Sequence, residues 1–259
     1  MKLKHSVVLI TGASSGLGAA TALRCALRKA KLVLAARSAQ PLEDLALKVR
    51  AAGGEALVVP TDVTDGPQVR RMVALVNERF GPVDVLVNSA GYGIFAPIQQ
   101  AKVDDLAGMV QVNLIGAARC IEAVLPQMLA RRRGQIINVA SAAGQAPLAN
   151  LAFYGATKFA LVGMSKNMRI DLAGSGVRVA TICPGVVETP FFDQADATLL
   201  SWWARLPGTL SDVQVAEAIE RAILRGLNGE QIFPRGAWLL ARISHFAPRL
   251  AERLSALIR

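Results

Sequence analysis

The segment from Ser6 to Ala30 constrains the fold more than any other part of this 259-residue chain. An apolar, β-branched run ending at Thr11 is followed by glycines at positions 12, 16 and 18, and then by an alanine-rich stretch with helical spacing. This order predicts a strand, a tight glycine turn and a helix.

The alternation of strand and helix continues along the chain. Further strands are predicted at 31–36, 56–60, 83–88, 134–139, 177–183 and 231–233, with long helical segments between them. Most are continuous apolar runs, as expected where helices cover both faces of a parallel sheet. The sequence therefore predicts an α/β fold with a doubly wound, mainly parallel seven-stranded sheet and helices on both faces, the Rossmann fold. Since no linker or repeat interrupts the pattern, residues 1–259 are expected to form a single domain.

The charge and the cysteines limit the class of protein. There are 29 lysines and arginines against 19 acids, a net charge of +10, which suits anionic ligands, acidic partners, nucleic acid or an anionic membrane. The basic residues are scattered along the sequence without interleaved aromatics, so no nucleic acid partner is expected. Cys25, Cys120 and Cys183 are widely spaced in apolar surroundings, which predicts reduced thiols and a cytoplasmic location. No signal peptide and no apolar run of membrane length are recognised in the sequence. No cluster of metal-ligating residues is recognised either, so no metal is expected.

The glycine turn suits a dinucleotide. Gly12 would permit the tight turn, Gly16 the close approach of backbone to pyrophosphate, and Gly18 the packing of helix on sheet. An ordinary strand-to-helix turn is the alternative. The predicted cofactor-binding residues are Gly12, Ser14, Ser15, Gly16, Leu17, Gly18, Arg37, Asp62, Val63, Asn88, Ala90, Gly91, Tyr154, Lys158, Pro184, Gly185, Val187 and Thr189.

The residues at the end of the second predicted strand indicate whether the dinucleotide is NAD or NADP. NAD enzymes carry an acid there, whereas this chain reads Ala-Ala-Arg-Ser at 35–38. Arg37 could pair with the 2′-phosphate of NADP(H), which is the predicted cofactor, unless it is only a solvated loop charge. Asp62 could accept from the adenine amino group or cap the helix that starts near Asp65. Asn88 could cross-link strand ends or contact the cofactor.

Tyr154 and Lys158 stand four residues apart on a predicted helix, and therefore on one face. A tyrosine hydroxyl titrates near a pH of about 10, and an adjacent ammonium together with oxidised nicotinamide would stabilise its phenolate. Ser141 follows the fifth strand and could bond the substrate oxygen. Asn113, on the preceding helix, could hold a water beside Lys158. Together they form the predicted catalytic set.

From residue 6 to about 233 the chain resembles the short-chain dehydrogenase/reductase family. The motifs that carry the resemblance are Thr-Gly-Ala-Ser-Ser-Gly-Leu-Gly at 11–18, Asn-Ser-Ala-Gly at 88–91, Asn113, Ser141, Tyr154 with Lys158, and Pro184-Gly185 with Thr189. The resemblance implies that Tyr154 is the general acid/base. It also implies that Lys158 lowers the tyrosine pKa and binds the nicotinamide ribose, that Ser141 orients the carbonyl, and that Asn113 supports a proton-relay water.

Two departures from the family pattern stand out. Ser89 replaces a second asparagine, which should be tolerated, and Ala36 replaces the acid of NAD-preferring members, which supports NADP. The resemblance also implies a homodimer or homotetramer built by helices near 103–130 and 153–173. It implies a substrate lid as well, at residues 190–210.

The lid is rich in apolar and aromatic residues, which suggests an apolar substrate, although these side chains could equally pack the lid or contact a partner. Gly93, Ile94, Phe95, Gln145 and Leu148 are expected to line the same cavity. Residues 235–259 form a basic amphipathic extension with five arginines and one glutamate. We expect it to pack on its own domain or a neighbouring subunit; binding to an anionic membrane surface is the less favoured alternative.

The predicted function is interconversion of a carbonyl and an alcohol on a small apolar substrate, such as a lipid-derived or steroid-like ketone or aldehyde, with NADP(H) as cofactor. Two alternatives remain: a non-catalytic NADP-binding regulatory or scaffold protein, and a reductase of carrier-bound acyl chains. The complete set of Asn113, Ser141, Tyr154 and Lys158 argues against the first.

Overall fold

The structure is a computed structural model. It describes residues 2–188 and 209–234, and within the extension Leu239, Ile243, residues 245–247, Arg249 and Arg253. Thr189, residues 190–208 of the expected lid and most of the extension at 235–259 lie outside the described residues.

All seven predicted strands are present, with ends that differ from the prediction by no more than two residues. Two further short strands were not predicted. The nine strands are β1 Val7–Thr11, β2 Lys31–Ala36, β3 Glu55–Pro60, β4 Val85–Asn88, β5 Gly134–Val139, β6 Val177–Pro184, β7 Val187–Glu188, β8 Leu210–Ser211 and β9 Gly229–Phe233. The helices are α1 Gly16–Ala26, α2 Ala39–Ala51, α3 Gly66–Arg79, α4 Val103–Val110, α5 Ala117–Ala130, α6 Ala152–Asp171 and α7 Asp212–Arg225.

Seven strands form one parallel sheet in the order β3-β2-β1-β4-β5-β6-β9. The chain runs outward from β1 to β3 and then returns to add β4 on the other side. At this reversal Thr11 of β1 lies opposite Asn88 of β4. Ligands of such sheets bind at the carboxyl ends of the strands beside the reversal, so the fold itself selects this edge for the site.

Helices cover both faces of the sheet, as predicted. On one face α1, α2 and α7 pack on alternate strand residues such as Ile10, Leu34 and Ile182. On the other, α3 and α5 pack on the intervening ones, such as Leu9 and Leu86. Both layers are apolar, which explains the continuous apolar strands. The three cysteines are free and buried, which confirms that part of the prediction.

Local signals set several helix ends. Asp65 begins α3, because its carboxylate accepts a hydrogen bond from the Gln68 backbone N–H at 2.9 Å. Ser211 and Gln214 form a reciprocal capping box at the start of α7, and Gly226, with φ of 60°, ends that helix. Asp62, offered as an alternative cap for α3, does not cap it: Asp65 does.

Residues Val103–Ala130 form a nearly continuous helical stretch in which a π-helical turn, Gln111–Gly116, separates α4 from α5. By length and composition alone this 28-residue stretch could cross a membrane, although no membrane-length apolar run was recognised in the sequence. Its Cys120, Val124 and Met128 pack against the sheet. We therefore interpret it as a core helix.

The small sheet of β7 and β8 was not predicted. Val187 pairs with Leu210 and Glu188 with Ser211, in parallel. The chain therefore returns beside the end of β6 after residues 189–208. Two-residue strands carry no periodicity that a sequence could display.

Candidate active site

The glycine turn forms a cradle for phosphates. Gly12 has a φ of 66°, and a Cβ there would lie 2.8 Å from the Ala90 backbone. Gly16 has a φ of 50°. Both positions favour glycine, because other residues rarely adopt positive φ. The backbone of the turn is thus left uncovered by side chains.

The amino terminus of α1 points at this turn. Ser15 precedes the helix without capping it through its side chain, and the first turn carries no acidic residue. The positive end of the helix dipole and its free N–H groups therefore remain available to an anion. Ser14, Gly16 and Leu17 are partly exposed around it, while Gly18 is buried. These residues fit a dinucleotide pyrophosphate.

The end of β2 presents a cation rather than an acid. Arg37 is exposed, and Ser38, which precedes α2, makes no side-chain capping bond. The first turn of α2 also carries no acidic residue. The local field at this position therefore favours an anionic group.

Asp62 is held in a fixed orientation after β3. Its Oδ1 accepts from the backbone N–H and the hydroxyl of Thr64, both at 2.8 Å. Val63 is buried against Gly116, where a Cβ would clash with its side chain. The loop therefore has one conformation in which Asp62 remains partly exposed at the carboxyl edge.

The loop after β4, Asn88 to Gly91, is anchored from both sides. Asn88 Nδ2 donates to Asn138 Oδ1 of β5 at 2.9 Å, as expected for a residue that cross-links strand ends. Its Oδ1 is buried without a protein partner. The Thr11 hydroxyl accepts from the Ser89 and Ala90 backbone N–H groups at 3.2 Å. Ala90 and Gly91 are thereby fixed beside the glycine turn.

Tyr154 and Lys158 lie on the buried face of α6, as the four-residue spacing predicted. The tyrosine is 7% and the lysine 5% exposed. Lys158 Nζ donates to the Val139 carbonyl at 3.1 Å and lies 5.8 Å from the Tyr154 ring centroid. The end of β5 thus fixes the ammonium next to the phenol.

Burial dominates the protonation of both groups. It lowers the pKa of Lys158 to about 8 and raises the pKa of Tyr154 well above its ordinary value of 10, although a hydrogen bond with Ser141 opposes that rise. Lys158 therefore loses its proton at a lower pH than Tyr154. The ammonium lies beside the phenol, and its role in lowering the tyrosine pKa stays a prediction.

Ser141 follows β5 at the start of a 3₁₀ turn, Ala142–Gly144. Its hydroxyl accepts from the Ala143 backbone N–H at 3.1 Å and is hydrogen-bonded to Tyr154. Two hydroxyl groups thus meet at one point of the cavity. A carbonyl oxygen placed there could accept from both.

Asn113 lies in the π-helical turn, and its amide is fully engaged. Oδ1 accepts from the Tyr92 backbone N–H at 3.0 Å, while Nδ2 donates to the Tyr92 carbonyl at 2.9 Å and to Thr157 Oγ1 at 3.1 Å. The side chain therefore ties the loop after Gly91 to α6. These contacts give it a positioning role, and the water that it is expected to hold beside Lys158 stays a prediction.

The cavity around Tyr154 is apolar. Phe95 stacks edge-on against the tyrosine ring with centroids 5.4 Å apart, and Met109, Leu148 and Leu151 belong to the same cluster. Gly93 leaves room for both rings, since a Cβ there would lie 2.8 Å from Phe95. Gln145, also expected in this wall, donates to Glu230 at 3.0 Å and to Cys183 Sγ at 3.5 Å.

Pro184 ends β6, and Gly185 follows it. The Gly185 N–H donates to the Phe233 carbonyl at 2.8 Å, and a Cβ there would lie 3.0 Å from Pro234. Val187 is buried in β7. Pro184, Gly185 and Val187 therefore continue the carboxyl edge beyond β6, while Thr189 lies outside the described residues.

Three supporting residues were not identified from the sequence: Thr11, Asn138 and Thr157. Each bonds a predicted site residue or its loop through a side chain. Thr157 also donates to the Tyr154 carbonyl at 2.8 Å. Two of the three had a signal in the sequence, because Thr11 opens the 11–18 motif and Thr157 immediately precedes Lys158.

The chain is similar in sequence and fold to known proteins. The family model for short-chain dehydrogenases matches residues 6–199. An uncharacterized oxidoreductase of Listeria innocua is 39% identical over 195 residues, 74% of this chain and 79% of its own. A short-chain dehydrogenase/reductase of Burkholderia phymatum in complex with NAD is 29% identical, with a TM-score of 0.88 over 96% of both chains.

A second solved structure carries a different cofactor form. The alcohol dehydrogenase of Thermococcus sibiricus, complexed with 5-hydroxy-NADP, is 29% identical with a TM-score of 0.77, over 88% of this chain and 95% of its own. NAD and NADP forms thus both occur among these structural neighbours, whose TM-scores show that they share the fold. The chain belongs to the short-chain dehydrogenase/reductase family and is an NAD(P)-binding oxidoreductase with its Rossmann fold.

Proposed function

We propose that the protein interconverts a carbonyl and an alcohol on an apolar substrate, with NADP(H) as cofactor and Tyr154 as general acid/base. The observation that carries the proposal is the buried cluster in which the Tyr154 hydroxyl bonds Ser141 beside the Lys158 ammonium. The cluster opens onto the same edge as the glycine turn. It combines a proton donor, a second hydroxyl and a cation in one apolar cavity.

The residues that would hold the dinucleotide are those of the glycine turn and the loops after β2, β3 and β4. The bound nicotinamide would supply the hydride that carbonyl reduction needs. The substrate oxygen would accept hydrogen bonds from Ser141 and Tyr154. In reduction Tyr154 donates its proton to that oxygen as the hydride reaches the carbon, which balances the conversion to an alcohol. In oxidation the tyrosine takes the proton back.

Lys158 places a positive charge beside the phenol of Tyr154. At pH values below about 8 it carries a proton, and its ammonium lies beside the phenol ring. A cation beside a phenol favours the phenolate, and oxidised nicotinamide would add further positive charge in the occupied site. Asn113 and Thr157 hold α6 and the Gly91 loop in register, which keeps both groups in place.

NADP(H) is proposed because of the end of β2. Arg37 and the uncapped start of α2 favour a 2′-phosphate, and no carboxylate in the first turn of that helix repels it. The apolar cluster around Phe95 and Met109 supports an apolar substrate. We further propose a cytoplasmic protein that forms a homodimer or homotetramer through the long helices at 103–130 and 152–171, which light scattering after gel filtration would test.

The decisive experiment follows reduced nicotinamide consumption across a panel of apolar ketones and aldehydes. Tyr154→Phe should lower kcat by about 100-fold or more, while NADPH binding, followed by fluorescence, stays within about twofold of the parent. A parent enzyme that binds NADPH but converts no carbonyl would favour the non-catalytic alternative. Full activity in Tyr154→Phe would refute the role of the tyrosine.

The cofactor choice has its own test. Arg37→Gln should lower kcat/KM for NADPH by about tenfold or more and leave the value for NADH nearly unchanged, because a charged hydrogen bond to the 2′-phosphate is lost. A parent enzyme that prefers NADH would contradict the assignment.

A further inference from the structure

Arg119 joins helix α5 to the loop that follows β3. Its guanidinium donates a hydrogen bond to the Thr64 carbonyl, and the side chain is partly buried rather than fully solvated. A guanidinium that gives up part of its hydration to bond a loop carbonyl fixes the position of that carbonyl. Arg119 is not among the predicted site residues, and its contact has no part in the chemistry described above.

Thr64 transmits this restraint to Asp62. The backbone N–H and the hydroxyl of Thr64 both donate to Asp62 Oδ1 at 2.8 Å. In the part of the chain that the structure describes, no donor bonds Asp62 Oδ2. The protein therefore fixes one carboxylate oxygen and leaves the other available to a donor from a ligand.

Helix α5 comes close enough for this contact because Gly116 has no side chain. A Cβ at position 116 would lie 2.6 Å from Val63 Cγ2, which is too close for any other residue without a shift. Gly116 and Arg119 are three residues apart, so they share one face of the helical stretch. This face packs on Val63 and bonds Thr64, the two residues that directly follow Asp62.

Arg70 approaches the same place without bonding the loop. Arg70 Nη1 and Arg119 Nε lie 3.3 Å and 3.8 Å from the position that a Cβ on Gly66 would take. Arg70 is exposed, and no hydrogen bond of its guanidinium to a described residue is present. The two arginines thus have equal charge and nearly the same location, but only Arg119 holds the Thr64 carbonyl.

We propose that Arg119 is a positioning residue for the adenine end of the cofactor. Through Thr64 it orients Asp62 so that Oδ2 accepts a hydrogen bond from the adenine amino group. This role rests on the proposed binding of adenine beside the loop after β3. Because the nicotinamide lies at the other end of the dinucleotide, Arg119 affects the affinity for the cofactor and the choice of its base, and not the hydride transfer.

The test compares the dissociation constants of NADPH and deamino-NADPH, whose hypoxanthine carries a carbonyl in place of the amino group. Fluorescence of the reduced nicotinamide reports both. The parent should bind NADPH about tenfold or more tightly, because the analogue replaces a charged hydrogen bond by two facing acceptors. Arg119→Met should reduce this ratio to about threefold or less, mainly by weakening NADPH. Arg70→Met removes the same charge beside Gly66 and should keep the parent ratio within about twofold.

The ratio of the two constants isolates positioning from stability. A loss of folded protein scales both affinities equally and leaves the ratio unchanged. Equal weakening of both ligands in Arg119→Met would therefore show a purely structural contact and overturn the proposal. So would a parent ratio that Arg119→Met retains, or one that Arg70→Met loses to the same extent.

Asp62→Ala separates this inference from the assignment on which it rests. It should bring the two affinities to within about twofold of each other, because the acceptor is gone. A parent without preference, or an Asp62→Ala variant that keeps it, would refute the adenine role of Asp62 and the inference with it. Loss of the preference in Asp62→Ala but not in Arg119→Met would refute the role of Arg119 alone. Should the parent prefer NADH, the comparison of NADH with deamino-NADH is equivalent, since both cofactors carry adenine.

Discussion

Lys158 is a cation held where charge is unfavourable. Its pKa falls from an ordinary 10.5 to about 8 because of burial, so the unfolded chain binds more protons at this position between those pH values. Stability contributed by the neutral lysine therefore increases as the pH rises through that window. Below this window the buried ammonium is unfavourable for stability, and its proposed role beside Tyr154 accounts for its presence.

Lys158→Met should isolate this effect. The free energy of unfolding of the parent, relative to the variant, should rise by about 3 kcal/mol between pH 8 and 10.5. The comparison cancels the buried thiols, whose raised pKa values act in the opposite direction. Urea unfolding at a series of pH values measures it. A difference that does not change with pH would mean that the lysine is freely hydrated.

The sequence grouped the proposed catalytic residues but did not reveal which contacts hold them. Spacing alone placed Tyr154 and Lys158 on one helical face. The partners of Asn113 could not be predicted, because Tyr92 offers backbone atoms and Thr157 a hydroxyl whose direction depends on tertiary packing. The type of a residue indicates which chemistry it could perform. Which residues hold it in place is seen only from its hydrogen bonds, and these require coordinates.

At the level of elements, the strands were predictable because burial on both sheet faces requires continuous apolar runs. The π-helical turn and the β7–β8 pairing were not. The turn continues a helical stretch without a signal of its own, and the pairing joins two-residue strands that are distant in the sequence. Strand ends differed by one or two residues for a similar reason, since hydrogen bonding at the edge depends on neighbouring strands.

The glycine turn yields a test with a matched control. Gly12→Ala and Gly53→Ala both place alanine at positive φ, of 66° and 89°. An added Cβ meets the Ala90 backbone only at position 12, and it meets nothing within 4 Å at position 53. Gly53→Ala should lower the free energy of unfolding by about 1–2 kcal/mol. Gly12→Ala should lower it by about 3 kcal/mol or more and should also weaken NADPH binding. Equal costs and unchanged binding would contradict the cradle. Thermal unfolding and cofactor fluorescence measure both.

Helices α1 and α7 are joined by a nearly buried carboxylate. Glu220, whose side chain is 3% exposed, bonds Arg24 at 2.7 Å and Arg28 at 2.6 Å. Burial raises the pKa of Glu220, but the hydrogen bonds from Arg28 and Arg24 outweigh it and hold the pKa below its ordinary value of 4.5. A lowered acid pKa adds stability above the unfolded value, and this stability is lost as the pH falls through the folded one.

Glu220→Gln should therefore lower stability by about 1–2 kcal/mol at neutral pH, and its difference from the parent should shrink in acid. Glu217, with a 37% exposed side chain, also reaches Arg24. Glu217→Gln should lower the free energy of unfolding by less than about 0.5 kcal/mol. If the two variants were equally stable at pH 7, the contacts of Glu220 with Arg24 and Arg28 would not stabilise the packing of α1 on α7.

At the scale of the whole molecule, the cofactor cradle lies at one edge of the sheet, where the carboxyl ends of the parallel strands meet. Because the cradle draws on loops after four strands, its ligand should stabilise the entire sheet. NADPH at about one hundred times its Kd should add roughly 2.7 kcal/mol and raise Tm by about 5–10 °C. NADH at the same concentration should give a smaller rise, and no rise with either would contradict the cofactor assignment. Differential scanning fluorimetry is sufficient.

The net charge of +10 also has a practical consequence. A negatively charged resin should retain the protein at neutral pH without a tag or cross-linker, and salt, which screens the attraction, should release it.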